Sequence, residues 1–570
     1  MNLNIKKSIL AFIFILAIFV SAVFVWYSPV LFKGYAPYQI SSGISVARNM
    51  SEAGFFSLES DLNVVLSSSL VSEKGQATGI TNSQLTPYFY SGIWSLFGPF
   101  SANQLIFLDI IIEALVLVLF AILVADLFGR KVSLFFALIY IFLPFNWQMA
   151  YEVASYEVAL LFVALFFIFY FQAQKDYFRK YSRFFLILSG IFLAGAIFAK
   201  EAFILLPPFL ILFLLWKKRK EALLFIMIPL FLLMGVFWLP NFVKNSNLNL
   251  LPGIDKEQSQ SADFSFYAHL YPDPYTYHFN KEEFLEEKFK NYDKSGVSIA
   301  KIENSKVMKN VGVKGVSFLE RIKVSLVIGS RHFFRFVSLE EVGGPFVFLL
   351  LFLGLYYLKR NNWELGRFFI GWIVFSVLIM SLILLLSRSH LMDFNWAIAL
   401  MITLGVLTLS QMIFGYFGVK ENKLIWIQLF VLMILLYNFV LANHVVFGDL
   451  YDKTKVPKLE AYSQEIKSFN IKDEEVIALD MHGSNMYQLN YLSDKSLVMF
   501  RKNTIEKLIK ENKLNEAFDK FNVKYVLGYS DDFTEKIVKS SDVKNIATSS
   551  LKPMKYSISR NKGWLMNLVK

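Results

Sequence analysis

The chain contains no cysteine among its 570 residues, and His332, His444 and His482 have no partner at metal-ligand spacing. Without cysteine there are no disulfides, no thiolate metal site and no cysteine nucleophile. The chain also lacks solenoid repeats and low-complexity tracts. Apolar residues, by contrast, make up 55% of it, and its mean hydropathy is +0.47. Because soluble domains are less apolar, the composition predicts an integral membrane protein.

Long apolar runs recur along the chain, and a hydrocarbon core of about 30 Å needs roughly 20 apolar residues per helix. The first run lacks a clean cleavage site, which favours a retained anchor over a signal peptide. The sequence therefore predicts a mostly α, polytopic helical bundle of about eleven spans, at residues 8–27, 103–127, 132–149, 155–173, 184–199, 202–216, 222–240, 345–358, 368–387, 394–416 and 424–442.

Clusters of Lys and Arg stand at the ends of alternate runs and predict the orientation. They comprise Lys6 with Lys7, Arg130 with Lys131, residues 175–183, 217–220 and 359–367, and, more weakly, Lys420 with Lys423. Because basic residues stay on the cytoplasmic side, the N-terminus is predicted inside and the C-terminus outside. These clusters also account for most of the formal charge of +12, which indicates membrane lipids rather than nucleic acid as the partner.

Three large segments then face outward: loops 28–102 and 241–344, and a tail from 443 to 570. We predict a membrane domain over residues 1–442 and a small extracytoplasmic α/β domain over 443–570. In that tail, strands Val476–Leu479 and Tyr525–Tyr529 flank an amphipathic helix pattern from Thr504 to Phe521. A closing hairpin is predicted around residues 556–569.

Carboxylates in the first outer loop are the first candidates for chemistry. Glu59 and Asp61 form an acidic-x-acidic pair, and Glu52 precedes them. Such a pair can deprotonate an acceptor or hold a divalent cation. The alternative is that they are ordinary solvated loop acids. Whether a metal takes part is left open by these residues.

Acids at the outer ends of the spans are further candidates. Glu152 and Glu157 lie in the turn before the fourth span, where they either serve the site or belong to an interfacial belt with neighbouring tyrosines. Asp109 and Glu113 share one face of the second span, about 6 Å apart. They are either functional or ion-paired, for example with Lys200.

Two outward turns carry cations next to apolar helices. Lys200 and Glu201 occupy one of them, and Arg388 with His390 the equivalent turn between the ninth and tenth spans. A cation there can hold the phosphate of a lipid whose tail lies along the helices. The alternative is snorkelling at the interface. In the tail, Asp532 lies three residues before Glu535, which predicts a helix N-terminus rather than a metal pair.

Four segments stand out together: an Ala-Arg-Asn-Met helix within Ile44–Gly54, the stretch Thr86–Gly98, the turn Phe198–Pro207 and the strand entry Phe521–Tyr529. In these segments the chain resembles C-type (GT-C) membrane glycosyltransferases of the mannosyltransferase and aminoarabinose-transferase kind. The resemblance implies transfer of a sugar from a polyprenyl-phosphate donor to a lipid, glycan or protein acceptor at the outer face of a prokaryotic cytoplasmic membrane.

Two features depart from that family. The family's acid before the first-loop helix is missing, since residues 34–45 contain neither Asp nor Glu. Glu52, Glu59 or Asp61 can take its place, or activity is lost. The Trp-Trp-Asp-Tyr-Gly motif of oligosaccharyltransferases is also absent, which disfavours transfer to asparagine. The competing hypotheses are a transporter or flippase of lipid-linked sugars and a noncatalytic assembly protein with the same fold.

Overall fold

A computed structural model describes the chain over residues 13–19, 61–62, 64–65, 77–78, 85–98, 102–143, 155–245, 344–383, 394–417, 423–450, 455–472, 475–479, 489, 492–493, 495–500, 502–510, 512–520, 522–527 and 531–545. The chain divides into two compact units. The first comprises residues 1–35, 81–270 and 315–446. The second comprises residues 36–80, 271–314 and 447–570, and so combines part of the first loop with the tail.

The first unit is a bundle of α-helices. They are α1 (Leu85–Phe97), α2 (Ala102–Phe128), α3 (Arg130–Phe142), α4 (Ser155–Gln172), α5 (Ser182–Ala199), α6 (Leu206–Trp216), α7 (Lys220–Asn245), α8 (Pro345–Asn361), α9 (Trp363–Ile383), α10 (Asn395–Phe417) and α11 (Leu424–Leu450). Residues 13–19 are also helical. Long apolar runs form helices in a membrane because a helix satisfies every backbone donor and acceptor within itself.

The predicted spans coincide with these helices. Each of the ten spans after the first overlaps one helix from α2 to α11. Within the described residues, three helical segments are long and apolar enough to cross a membrane: Phe107–Phe128, Asp176–Ala199 and Asn395–Phe417. Three shorter apolar helices accompany them. The mostly helical, polytopic membrane fold is thus confirmed, and the number of crossings stays a prediction.

Helices α8 and α10 pack backbone to backbone through two glycines. A Cβ on Gly354 would lie 1.9 Å from the carbonyl oxygen of Met401, and one on Gly405 would lie 2.0 Å from that of Leu350. No side chain fits in either place, so the two helices approach as closely as their backbones allow. This contact holds α10, whose first residue borders the site described below.

The second unit contains a five-stranded parallel sheet. Its strands are β2 (Val64–Val65), β4 (Val476–Leu479), β5 (Ser496–Met499), β6 (Val523–Leu527) and β7 (Lys544–Asn545), in the order β2-β5-β4-β6-β7. A separate antiparallel pair joins β1 (Asp61–Leu62) to β3 (Ala77–Thr78). The edge strand β2 comes from the first loop, and its Val64 is in register with Leu497 of β5.

Helices cover both faces of this sheet: α12 (Lys455–Ser468), α13 (Lys502–Lys510), α14 (Leu514–Lys520) and α15 (Asp531–Lys539). Alternate residues of β4 enter opposite cores, because side chains of a strand alternate between its faces. Ala478 packs with residues of α13, α14 and α15. Ile477 packs with Tyr462 of α12. The α/β character predicted for the tail is therefore present in the described residues.

Details of the tail differ from the prediction. The single helix pattern from Thr504 to Phe521 is two helices, because Asn512 adopts a left-handed conformation (φ 55°) and ends α13. The backbone N–H of Lys513 then donates to the carbonyl of Leu508 at 2.9 Å. The second strand begins two residues earlier than predicted. The predicted hairpin at 556–569 lies outside the described residues.

Candidate functional site

A buried hydrogen bond joins α1 to α2. The hydroxyl of Tyr90 donates to Oδ1 of Asp109 at 2.9 Å, and both side chains are buried. One turn along α2 lies Glu113. Removing a carboxylate from water is expensive, so a buried acid needs donors or cations around it. Tyr90 supplies such a donor to Asp109.

Glu157 lies in the first turn of α4 and is only 2% exposed. Its carboxyl acts electrostatically on the phenol of Tyr90, as does Asp109. It also acts on the phenol of Tyr140 in α3, together with Glu113. Glu157 is therefore the acid common to both tyrosines. Interactions of this kind are stronger in the bundle than in water because the local dielectric constant is low.

Lys200 faces the same region from the end of α5. The helix ends at Ala199, whose carbonyl accepts a hydrogen bond from the Thr86 hydroxyl at 3.1 Å. The backbone of Lys200 is extended (φ −150°, ψ 117°), which turns the chain out of the helix. Its ammonium lies 4.8 Å from the ring centroid of Tyr156, a buried residue adjacent to Glu157. A desolvated cation–π contact of this kind contributes about 2 kcal/mol.

These side chains form one group, which we call the buried acid cluster. At its border, the side chain of Tyr140 is hydrogen-bonded to that of Asn395, the fully buried first residue of α10. Acids and a cation at the same end of an apolar bundle indicate a site for a polar group entering from the membrane surface. The buried acid cluster comprises Tyr90, Asp109, Glu113, Tyr140, Tyr156, Glu157 and Lys200.

Four of the residues predicted from the sequence thus come together. Asp109, Glu113, Glu157 and Lys200 belong to the cluster. Glu201 begins a short 3₁₀ helix directly after Lys200. Asp61 lies in the second unit, in β1, where it is in register with Thr78. The remaining candidates lie outside the described residues: Glu52, Glu59, Glu152, Arg388 and His390.

The tyrosines of the cluster were not predicted as site residues. Tyr156 entered the sequence analysis only through the interfacial-belt alternative, and it is fully buried against Lys200. Tyr90 lies in the segment that carries the family resemblance. Its hydrogen-bond partner, Asp109, is 19 residues away in the chain and lies in another helix. A tyrosine within an otherwise apolar helix is the feature of the sequence that could have indicated these residues, because a buried hydroxyl needs a hydrogen-bond partner.

The tail provides no metal centre among its described residues. The predicted helix N-terminus is present, since α15 begins at Asp531 and includes Asp532 and Glu535. Glu535 pairs with Lys539 one turn later, at 2.8 Å. Across the whole described part of the chain, no group of three His, Asp or Glu side chains is placed to hold a metal ion.

Comparison with known families gives a match over this region. Residues 82–243 match the sequence model of the family described as dolichyl-phosphate-mannose-protein mannosyltransferase. This segment runs from α1 to α7 and contains all seven residues of the buried acid cluster. No significant match was found among curated proteins.

Two solved structures are similar to this chain. An oligosaccharyltransferase from Archaeoglobus fulgidus, AglB, in complex with an inhibitory peptide and a dolichol-phosphate, matches with a TM-score of 0.55 and 11% identity, over 91% of this chain and 69% of AglB. ArnT from Cupriavidus metallidurans, bound to undecaprenyl phosphate, matches with a TM-score of 0.48 and 11% identity, over 85% of both chains.

The chain has the fold of the C-type membrane glycosyltransferases, as the resemblance in its sequence predicted. Within that class, residues 82–243 are similar to the dolichyl-phosphate-mannose-protein mannosyltransferases. The fold and the family match together support a membrane glycosyltransferase.

Proposed function

We propose that the chain transfers a sugar from a polyprenyl-phosphate donor to a lipid, glycan or protein acceptor at the outer face of a prokaryotic cytoplasmic membrane. The observation that carries this is the buried acid cluster. It places Glu157, Asp109 and Lys200 together, within the segment that matches a mannosyltransferase family. The dolichol-phosphate in the AglB complex supports a lipid-linked phosphate as the donor class.

Lys200 is proposed to bind the donor phosphate. Its ammonium is held against the Tyr156 ring at the end of a buried helix, where a phosphate can replace the water that it has lost. A compact ammonium suits a phosphate as a point charge. Arg388 and His390 are proposed as additional phosphate ligands from the equivalent turn, on the basis of their sequence position alone.

The reaction is proposed to be a single displacement with inversion. The acceptor oxygen attacks the anomeric carbon of the sugar, and the bond from that carbon to the phosphate oxygen breaks. The electron pair leaves with the polyprenyl phosphate, whose developing charge Lys200 stabilises. The acceptor proton passes to a carboxylate acting as a general base.

Carboxylates from two parts of the chain are candidates for that base. Glu59 and Asp61 are proposed from the first loop, with Glu157 supporting them. Two structural observations support Glu157: it is buried, and its carboxyl interacts electrostatically with the phenols of both Tyr90 and Tyr140. Asp109 is held by Tyr90 and is better suited to orienting the cluster than to accepting a proton.

A transfer assay with labelled polyprenyl-phosphate sugar tests this function on the full-length protein in membranes. We expect Glu157→Gln to lower the rate by about 10² or more, as loss of general-base catalysis does. Lys200→Gln should raise KM for the donor, because it removes the phosphate ligand. Asp126→Asn is the matched control, since Asp126 lies in α2 but accepts a hydrogen bond from Gln172 at 2.8 Å, outside the cluster.

Two results would contradict the proposal. Full activity of both Glu157→Gln and Lys200→Gln would show that the buried acid cluster takes no part in the reaction. Movement of lipid-linked sugar across vesicle membranes without any glycosylated product would favour the transporter hypothesis instead. Activity that depends on Asp61 but not on Glu157 would assign the base to the first loop.

A further inference from the structure

The basic ends of α6, α7 and α9 form a second charged group. Four consecutive basic residues, Lys217 to Lys220, make the turn between α6 and α7. Glu364 at the start of α9 lies beside this turn. The Lys217 ammonium is 3.3 Å from one of its carboxylate oxygens, and an Arg219 guanidinium nitrogen is 3.3 Å from the other. One carboxylate is thus shared between two cations.

Arg367, one turn along α9, is held by aromatic rings. Its guanidinium carbon lies 5.5 Å from the ring centroid of Trp216 and 5.4 Å from that of Trp363. Gly366 allows this arrangement, because a Cβ there would lie 2.9 Å from the Trp363 ring. Two rings on one guanidinium restrict its rotation, so its exposed N–H groups are ready for a planar or tetrahedral anion.

The group carries more positive than negative charge. Lys217, Arg219 and Arg367 stand against the single carboxylate of Glu364. Lys217 also lies 5.0 Å from the Trp216 ring centroid, so the two cations nearest Trp216 converge on it. Among the described side chains of this group, the surplus of positive charge on groups that are already positioned favours an anion with several acceptor oxygens.

Apolar surface continues from this charged group along α6. Leu212 is 57% exposed, Leu215 48% and Trp216 56%. In a membrane protein such residues contact acyl chains, and tryptophan lies at the level of the lipid headgroups. A free phosphate ion would use the cations alone. An anionic lipid would use both the cations and the apolar surface beneath them.

We propose that Lys217, Arg219, Arg367, Trp216 and Trp363 form a binding site for the headgroup of an anionic phospholipid. The phosphate lies against Arg367 and Lys217, and the acyl chains lie along Leu212 and Leu215. This headgroup site lies outside the buried acid cluster. It is independent of the proposed sugar transfer.

Native mass spectrometry of the full-length protein in mild detergent tests the site. The protein is titrated with dioleoyl phosphatidylglycerol and, separately, with dioleoyl phosphatidylcholine. We expect the anionic lipid to bind more tightly, and Arg367→Ala to weaken its binding about tenfold, as loss of a charge-assisted hydrogen bond does. Lys131→Ala, which removes an exposed cation from the start of α3, should leave binding unchanged.

A second pair of variants separates stacking from charge. Trp363→Leu keeps every cation and should still weaken phosphatidylglycerol binding, because Arg367 loses one of its rings. Arg367→Lys keeps the charge and should bind between wild type and Arg367→Ala. The proposal is overturned if the two lipids bind equally, if Lys131→Ala and Arg367→Ala weaken binding alike, or if inorganic phosphate displaces the lipid at equal concentration.

Discussion

The glycine contact between α8 and α10 gives the sharpest stability prediction. Gly405→Ala places a Cβ 2.0 Å from the carbonyl oxygen of Leu350 and 2.7 Å from its carbonyl carbon. Both of these are backbone atoms, so no side chain can rotate away. Ordinary contact needs about 3.4 Å, and the two helices must therefore move apart by more than about 1 Å.

The net effect combines two opposing contributions. Overpacking of a close contact costs about 1–3 kcal/mol, and the contact here is between backbones, which favours the upper part of that range. Replacing glycine by alanine inside a helix stabilises the helix by about 1 kcal/mol. We therefore expect a net loss of about 1–2 kcal/mol. Gly354→Ala should behave alike, since its Cβ would meet the Met401 carbonyl.

The assay is the thermal stability of the purified protein in detergent, followed as the fraction that remains monodisperse after heating. Gly415→Ala is the matched control in the same helix, because a Cβ there meets nothing within 4 Å. It should keep or raise stability. The combined Gly354→Ala and Gly405→Ala variant should lose less than the sum of the single losses, since one separation of the helices accommodates both methyl groups. A Gly405→Ala protein as stable as Gly415→Ala would refute the reasoning.

Three further predictions concern other contacts. Tyr90→Phe should lower stability by about 1–3 kcal/mol, because buried Asp109 loses a donor, and an unchanged melting temperature would show that water replaces it. Replacing both Val64 and Val65 by proline removes both backbone donors of β2 and should destabilise the second unit alone, as measured by hydrogen exchange. Lys539 lowers the pKa of Glu535 by hydrogen bonding to its carboxylate. The pair should therefore stabilise the fold above the unfolded pKa of Glu535 and lose that contribution as the pH falls through the folded pKa. Glu535→Gln should make stability depend less on pH over this acidic range, as measured in a pH titration of stability.

The helices could be predicted because their signal is local. An apolar run must satisfy its own backbone in a membrane, so the predicted spans 394–416 and 184–199 became α10 and α5 with bounds that differ by at most two residues. The strand Val476–Leu479 was predicted with its bounds for a similar reason, being a short apolar run between polar segments.

The site could be predicted only in part, because contacts between helices are not local. Buried acids such as Asp109 and Glu157 stand out in apolar runs, and this indicated them as candidates. Their partners do not stand out in this way. Tyr90 meets Asp109, and Lys200 meets Tyr156, only after the helices pack. The break at Asn512 was missed because a left-handed residue within an amphipathic pattern leaves the periodicity almost unchanged.

The edge strand from the first loop has a consequence for synthesis of the chain. Val64 pairs with Leu497, which follows it by 433 residues. At about 5–20 residues per second, roughly 20–90 s separate the emergence of the two strands. During that interval the loop has no sheet to join, while helices α1 to α11 are being made. The ribosome therefore completes the second unit last, and a nascent chain stopped before β5 leaves β2 as an unpaired edge.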